Sequence, residues 1–170
     1  MNISKFRYPI DKDQFQVIRE QGMLYVDKTD MMYDLADRYT YVFLARPRRF
    51  GKSLLCNTFK AYFKGQKELF EGLKVMELEK QWTKYPVLHF ILSGLKDCSI
   101  PEAKSKLEGF LRNYEKTYGR DITDETPGAR FSGLIHRAYE QTGEKVVIIL
   151  DEYDSAIMRL MSEPDKLDAM

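Results

Sequence analysis

An α/β fold built on a parallel sheet flanked by helices is what this sequence predicts, and three observations predict it. The stretch YVFLARPRRFGKSLL at 41–55 reads as a strand, a phosphate-binding loop and a helix in succession. VVIILDEYD at 146–154 reads as a strand that ends in carboxylates. Between and before them, helical and strand-like apolar patterns alternate, the signature of βαβ crossovers.

Taken in order, residues 31–37 predict a short helix, capped by Thr29 or Asp30, with Met32, Leu35 and Ala36 facing inward. Tyr41, Val42, Phe43 and Leu44 form a short apolar run of the kind buried in a parallel sheet. Leu54, Leu55, Thr58, Phe59 and Tyr62 recur at helical spacing, so the next helix packs on the sheet through one face and stops near Gly65. Residues 71–84 read as a polar connection. Val87, Leu88, Phe90 and Ile91, preceded by Pro86, make a second strand. Ser99 and Glu102 have capping-box spacing, and Ala103, Leu107, Phe110, Leu111, Tyr114 and Tyr118 stripe a helix that ends at Gly119. After a polar loop at 121–128, Phe131, Leu134, Ile135 and Ala138 mark a helix that returns the chain to the acidic strand. No repeat, low-complexity tract or flexible linker intervenes, so one continuous unit is expected.

The chemistry lies in the two motifs. In the loop Pro47, Arg48, Arg49, Phe50, Gly51, Lys52, Ser53 and Leu54 are the candidate nucleotide contacts. Gly51 permits close backbone approach, amides at the helix start point at phosphate oxygens, Lys52 reaches the terminal phosphates, and the Ser53 hydroxyl can ligate Mg²⁺. The first glycine of the G-x-x-x-x-G-K-[ST] pattern falls on Arg46, which is expected to continue the strand because a residue before proline is pushed toward extended geometry. In the acidic strand Asp151 is placed to hold Mg²⁺ and Glu152 to deprotonate the attacking water. Asp154 has no assigned role. Taken singly, each motif also fits a solvated basic loop or a capped turn; their complementary chemistry favours a nucleotide site.

Composition limits the alternatives. The 170 residues are 44% hydrophobic and 31% charged, enough for a sizeable core, with a net charge of +1 that gives no global attraction to nucleic acid or anionic membrane. The N-terminal MNISKFRYPI lacks the apolar core of a signal peptide, and no run approaches a membrane span, so a cytoplasmic location is expected. Cys56 and Cys98 lack C-x-x-C spacing and read as small buried residues, and His89 and His136 lie far apart.

With these motifs placed, the chain resembles the AAA-ATPase-like family of bacterial and archaeal proteins. The resemblance covers nearly all of it and rests on YPIDKDQFQVIREQGMLYVDKT at 8–29, FLARPRRFGKSLL at 43–55, YPVLHF at 85–90 and EKVVIILDEYDSAI at 144–157. It implies a P-loop NTPase fold that binds ATP and Mg²⁺. Gly51, Lys52 and Ser53 would be the phosphate and metal residues, Asp151 the Mg²⁺ carboxylate, and Glu152 and Lys52 the catalytic pair. The stretch 25–29 is expected near the base or entrance of the site. Arg48 and Arg49 have two readings, contacts to phosphates or a partner, or simple solvation. Family members often carry a PD-(D/E)XK nuclease-like domain further along, so such a domain is an expected partner in the full-length protein. The fold also continues, in this class, with a sensor strand; since the chain ends at Met170, the sheet is expected to be incomplete at its C-terminal end, and the isolated chain to be inactive and prone to self-association.

The reading is thus an ATP-binding, ATP-hydrolysing domain that couples turnover to a conformational change. Its rivals are a nucleotide-gated binding module with little turnover and a nucleic-acid-binding domain that uses Arg46, Arg48, Arg49 and Lys52 on strand phosphates.

Overall fold

The structure, a computed structural model, describes residues 7–47, 49–95 and 98–153. Helices α1 (Phe15–Glu20), α2 (Thr29–Arg38), α3 (Lys52–Phe63) and α4 (Val75–Leu78) come first. Strand β1 (Val87–Ile91), helices α5 (Ile100–Tyr118) and α6 (Pro127–Thr142), and strand β2 (Val147–Asp151) follow. The backbone divides after Lys84 into two compact units, where the sequence predicts one.

In the second unit β1 and β2 form a two-stranded parallel sheet in the register Val87↔Val147 to Ile91↔Asp151. Parallel neighbours need a crossover, and α5 and α6 provide it. Glu102 starts α5 by accepting hydrogen bonds from the Ser99 amide and hydroxyl, both at 2.7 Å. The hydroxyl of Thr126 accepts the Ala129 amide at 3.1 Å to start α6. Leu88, Phe90, Leu111 and Leu134 make the core, and the Phe90 ring meets Phe110, Tyr114 and Phe131 at 5.6–5.9 Å. Deep in the α5–α6 contact the Arg130 guanidinium grips Glu115 through two 2.8 Å bonds, and this pairing holds the Glu115 carboxyl below its ordinary pKa.

The two edges of this sheet are finished differently. Val147 donates to the Pro86 carbonyl and Leu92 to that of Asp151, each at 2.9 Å, so the even-numbered residues of β1 bond toward β2 and His89 faces the other way. There the Tyr114 hydroxyl accepts the His89 N–H at 2.6 Å and donates to the His89 carbonyl at 2.9 Å. One side chain on α5 thereby satisfies both backbone groups of an edge residue. Opposed side chains of an in-register parallel pair share a face, so Ile148 and Leu150 lie on the side of Leu88 and Phe90. The expectation of a strand buried on both faces fails here: Ile148 and Leu150 are 41% and 51% exposed, because α5 and α6 gather their core over β1.

The first unit is helical, and its core is aromatic. Phe15, Phe70 and Val75 are fully buried, with Met32, Tyr62 and Trp82 around them. Ring centroids lie 4.9 Å apart for Phe15 and Phe70 and 5.2 Å for Phe70 and Trp82. The stretch 71–84, read from sequence as a polar connection, instead buries Leu73, Val75 and Trp82; single apolar residues at irregular spacing carry no periodic signal. Asp27 ties these parts together. Its Oδ1 accepts the amide and hydroxyl of Thr29, at 2.9 and 2.7 Å, and its Oδ2 accepts the Lys74 amide at 2.8 Å. The buried Thr29 hydroxyl then accepts the Val75 amide at 3.1 Å. The predicted helix at 31–37 therefore exists as α2, but Thr29 and Asp30 lie inside it, Lys28 is its N-cap, and the Asp27 carboxylate just before accepts the first helical amide, that of Thr29.

Two further expectations are corrected. Residues 41–47 carry no strand, Arg46 included, and Tyr41, Val42 and Phe43 are 92%, 48% and 74% exposed. A strand exists only where a neighbour accepts its hydrogen bonds, and among the described residues of this unit the pairing seen is the isolated Arg7–Met23 bridge. Helix α3, expected on a sheet, packs instead against α1 and the aromatic core of its own unit, with Ala61 and Tyr62 buried.

Replacing Tyr114 by Phe leaves the His89 amide and carbonyl without their partner, and a loss of about 1–3 kcal/mol is expected in urea denaturation. Asp27 yields a pH dependence. Burial alone would raise its carboxyl, but the bonds from Thr29 and Lys74 and the Lys74 charge outweigh it and hold the pKa below the ordinary value. The stability it contributes is present above the unfolded carboxylate pKa of about 3.9 and is lost as pH falls through the depressed folded value. Denaturation midpoints across that range should fall less steeply for Asp27→Asn than for the native chain; parallel curves would show that the clamp does not titrate.

Candidate functional site

The loop before α3 belongs to the first unit. Gly51 is the N-cap, with φ 74° and ψ 23° in the left-handed region, and Arg49 two residues earlier also has a positive φ of 66°. Backbone of this kind turns successive amides toward a common side, the arrangement that receives anions. A Cβ added to Gly51 would meet nothing within 4 Å, so the glycine is required for its conformation, and the space above it is open.

From there α3 runs without a side-chain cap and with no acidic residue in its first turn. Its first intrahelical bond is from the Leu55 amide to the Gly51 carbonyl at 3.0 Å. The amides at this helix start sit at its positive end. Lys52 and Ser53 are half-buried, whereas Arg46, Pro47, Arg49 and Phe50 are exposed, Phe50 by 63%. Arg48 lies outside the described residues.

Support for this turn comes from below. The Asn57 amide donates to the carbonyls of Asp13, at 3.1 Å, and Ser53, at 3.0 Å, so it joins the first turn of α3 to the segment that leads into α1. Thr58 donates to the Leu54 carbonyl at 2.8 Å and shares a hydrogen bond with Tyr25, whose ring stands edge-on to Phe15 at 5.1 Å. Burial raises the Tyr25 pKa, which keeps its hydroxyl neutral. The stretch 25–29 is thus a support beneath the loop's helix. Sequence reasoning did not find Asp13 and Asn57; Asn57 falls outside the apolar stripe of α3, so no periodicity marks it.

The acidic residues belong to the second unit. Asp151 ends β2 and is 4% exposed; its Oδ1 accepts the Glu152 amide at 2.9 Å, and its carbonyl accepts the Leu92 amide. Glu152 leaves the strand with φ 55°, left-handed geometry that a residue with a Cβ adopts at a cost of about 1–2 kcal/mol. Strained backbone of this kind concentrates where a side chain must be aimed. The strand thus delivers its carboxylates to the C-terminal edge of the sheet, as the sequence predicts. Asp154 lies outside the described residues. Among the described residues no group of three or more His, Cys, Asp or Glu could hold a metal, and no helix is long and apolar enough to cross a membrane.

Comparison with known proteins agrees with the motifs. The family described as "Predicted AAA-ATPase" matches residues 9–170. An "Uncharacterized protein in vnfD 5'region" of Azotobacter chroococcum mcd 1 is 35% identical over 164 residues, which are 96% of this chain and 32% of that protein. The chain therefore spans about a third of the length of the curated relative it matches. No solved structure matches.

The two left-handed residues separate conformation from chemistry. Gly51→Ala should lower stability by about 1–2 kcal/mol through φ alone, since its Cβ meets no atom. Glu152→Gly should leave thermal stability unchanged or raise it by up to about 1 kcal/mol, because relief of strain opposes the entropy of the added glycine. A clear loss of stability in that variant would mean that Glu152 holds the fold together.

Proposed function

This chain belongs to the predicted AAA-ATPase family, and from that premise we propose that it binds MgATP and, in the full-length protein, hydrolyses it. The observation that carries the reading is the uncapped start of α3: a left-handed glycine, then Lys52 and Ser53, with no carboxylate in the first turn to compete for an anion. The donors present fit a triphosphate. Amides of Lys52, Ser53 and Leu54 receive phosphate oxygens, and Lys52 adds a point charge for the terminal phosphates. Pro47 and Phe50 shape the loop, and Arg49 stands beside it; the same family reading gives Arg48 a place in it.

Ser53 and Asp151 are the residues that would hold Mg²⁺, a hard ion suited to one hydroxyl and one carboxylate with phosphate and water completing its shell. When bound, the ion neutralises charge on the phosphates. Glu152 orients the attacking water and takes its proton, and Lys52 stabilises charge on the transferred group. Most of the catalysis is then positioning and electrostatics. The reading takes the chain as a P-loop NTPase domain of a longer protein. A change of conformation on hydrolysis and a downstream nuclease-like domain are parts of that same proposal.

Calorimetry and a phosphate-release assay test it on the full-length protein. Lys52→Ala should remove most ATP affinity and Asp151→Asn the Mg²⁺-dependent part. Glu152→Gln should keep ATP bound and slow turnover by about 10²-fold or more, since the amide keeps the shape of the side chain and cannot accept a proton. Equal ATP affinity in the native protein and Lys52→Ala would overturn the site; unchanged hydrolysis in Glu152→Gln would move the base elsewhere.

A further inference from the structure

A trough of ≈ 480 Å³ runs along α5 beside the end of β1 in the second unit. Ile91, Leu95 and Phe110 form its apolar part, and Arg112, Asn113 and Lys116 its polar rim. Gly109 keeps the middle open, and Lys106 stands at the far end, ten residues or about 15 Å along the helix from Lys116. Among the described residues no carboxylate lines it.

Two of the three acids of α5 are committed elsewhere: Glu102 holds the Ser99 amide and hydroxyl, and Glu115 holds Arg130. Arg112 and Lys116 are exposed and one helical turn apart, about 6 Å. That separation is on the scale of successive phosphates in an extended strand.

We propose that this trough binds single-stranded nucleic acid, with phosphates on Arg112 and Lys116 and bases over Ile91, Leu95 and Phe110. A cationic rim over an apolar, partly aromatic floor is the pairing that holds single strands without sequence preference. Asn113 places an amide donor and acceptor between floor and rim for base edges. An extended peptide fits less well, because the outer hydrogen bonds of β1 at His89 are already taken by Tyr114, so no ladder can form there. The proposal rests on residues of the second unit alone and does not depend on the nucleotide reading.

Fluorescence anisotropy of the full chain with labelled oligo-dT about 20 nucleotides long tests this. Arg112→Ala with Lys116→Ala should weaken binding at least about tenfold and reduce the magnitude of the salt slope by about 1.4, at about 0.7 per phosphate lost. Lys145→Ala, an exposed lysine outside the trough, should bind as the native chain does. All three positions lie at the surface, and thermal melts confirm that the variants fold. The proposal is overturned if the native chain fails to bind oligo-dT at about 50 mM salt, or if the double variant binds as well as native. It is also overturned if binding is lost only on Arg46→Ala with Arg49→Ala. Capture of poly-glutamate in place of oligo-dT would assign the trough to an acidic protein.

Discussion

The carboxylate of Asp27 is the point on which the first unit depends. Three donors converge on it, from Thr29 and Lys74, and a fourth bond passes on from Thr29 to Val75. The result joins the start of α2 to the start of α4 and closes the aromatic core around Phe15 and Phe70. Helix α3 rests on that core through Tyr62 and is held by Tyr25 and Asn57. The groups that hold it are neutral: the Tyr25 hydroxyl and the Asn57 amide.

The same economy of backbone hydrogen bonds explains the second unit. A two-stranded sheet has two edges, and each edge residue brings an amide and a carbonyl that must find partners. Tyr114 serves both groups of His89 on one side. On the other side Ile148 and Leu150 present exposed apolar side chains along the face that α5 and α6 cover only over β1. Among the described residues no strand pairs with the outer edge of β2, and the acidic pair follows that strand.

Several elements were legible because their signals are local. Ser99 and Glu102 name the start of α5, the stripe from Phe131 to Ala138 marks α6 although that helix begins at Pro127 within the expected polar loop, and glycines at 65 and 119 take positive φ just past the helices they follow. Val87 to Ile91 and Val147 to Asp151 are strands by composition and by the crossover between them. Where the reading failed, the missing information was a partner. Tyr41, Val42, Phe43 and Leu44 have every local mark of a strand, but pairing is a property of two segments, and the described residues of their unit supply no second one. The stretch 71–84 failed in the opposite sense: its burial of Leu73, Val75 and Trp82 follows from the Asp27 clamp, which no periodicity announces.

The sequence by itself determined the chemical character of the candidate site, since a glycine, a lysine and a serine at a helix start and two carboxylates after an apolar strand are statements about residue types in order. It also determined the family and the α/β class. Only the tertiary structure decided that Gly51 is needed for its φ and not for space, that Glu152 is held in strained backbone, and that Tyr25 meets Thr58 of α3. It alone decided that Glu115 of α5 is taken by Arg130 and that Arg112 and Lys116 rim a trough. The physical reason is the same in each case: conformation and charge pairing depend on which groups meet in space, and residues 27 and 74, or 115 and 130, meet only after the chain has folded.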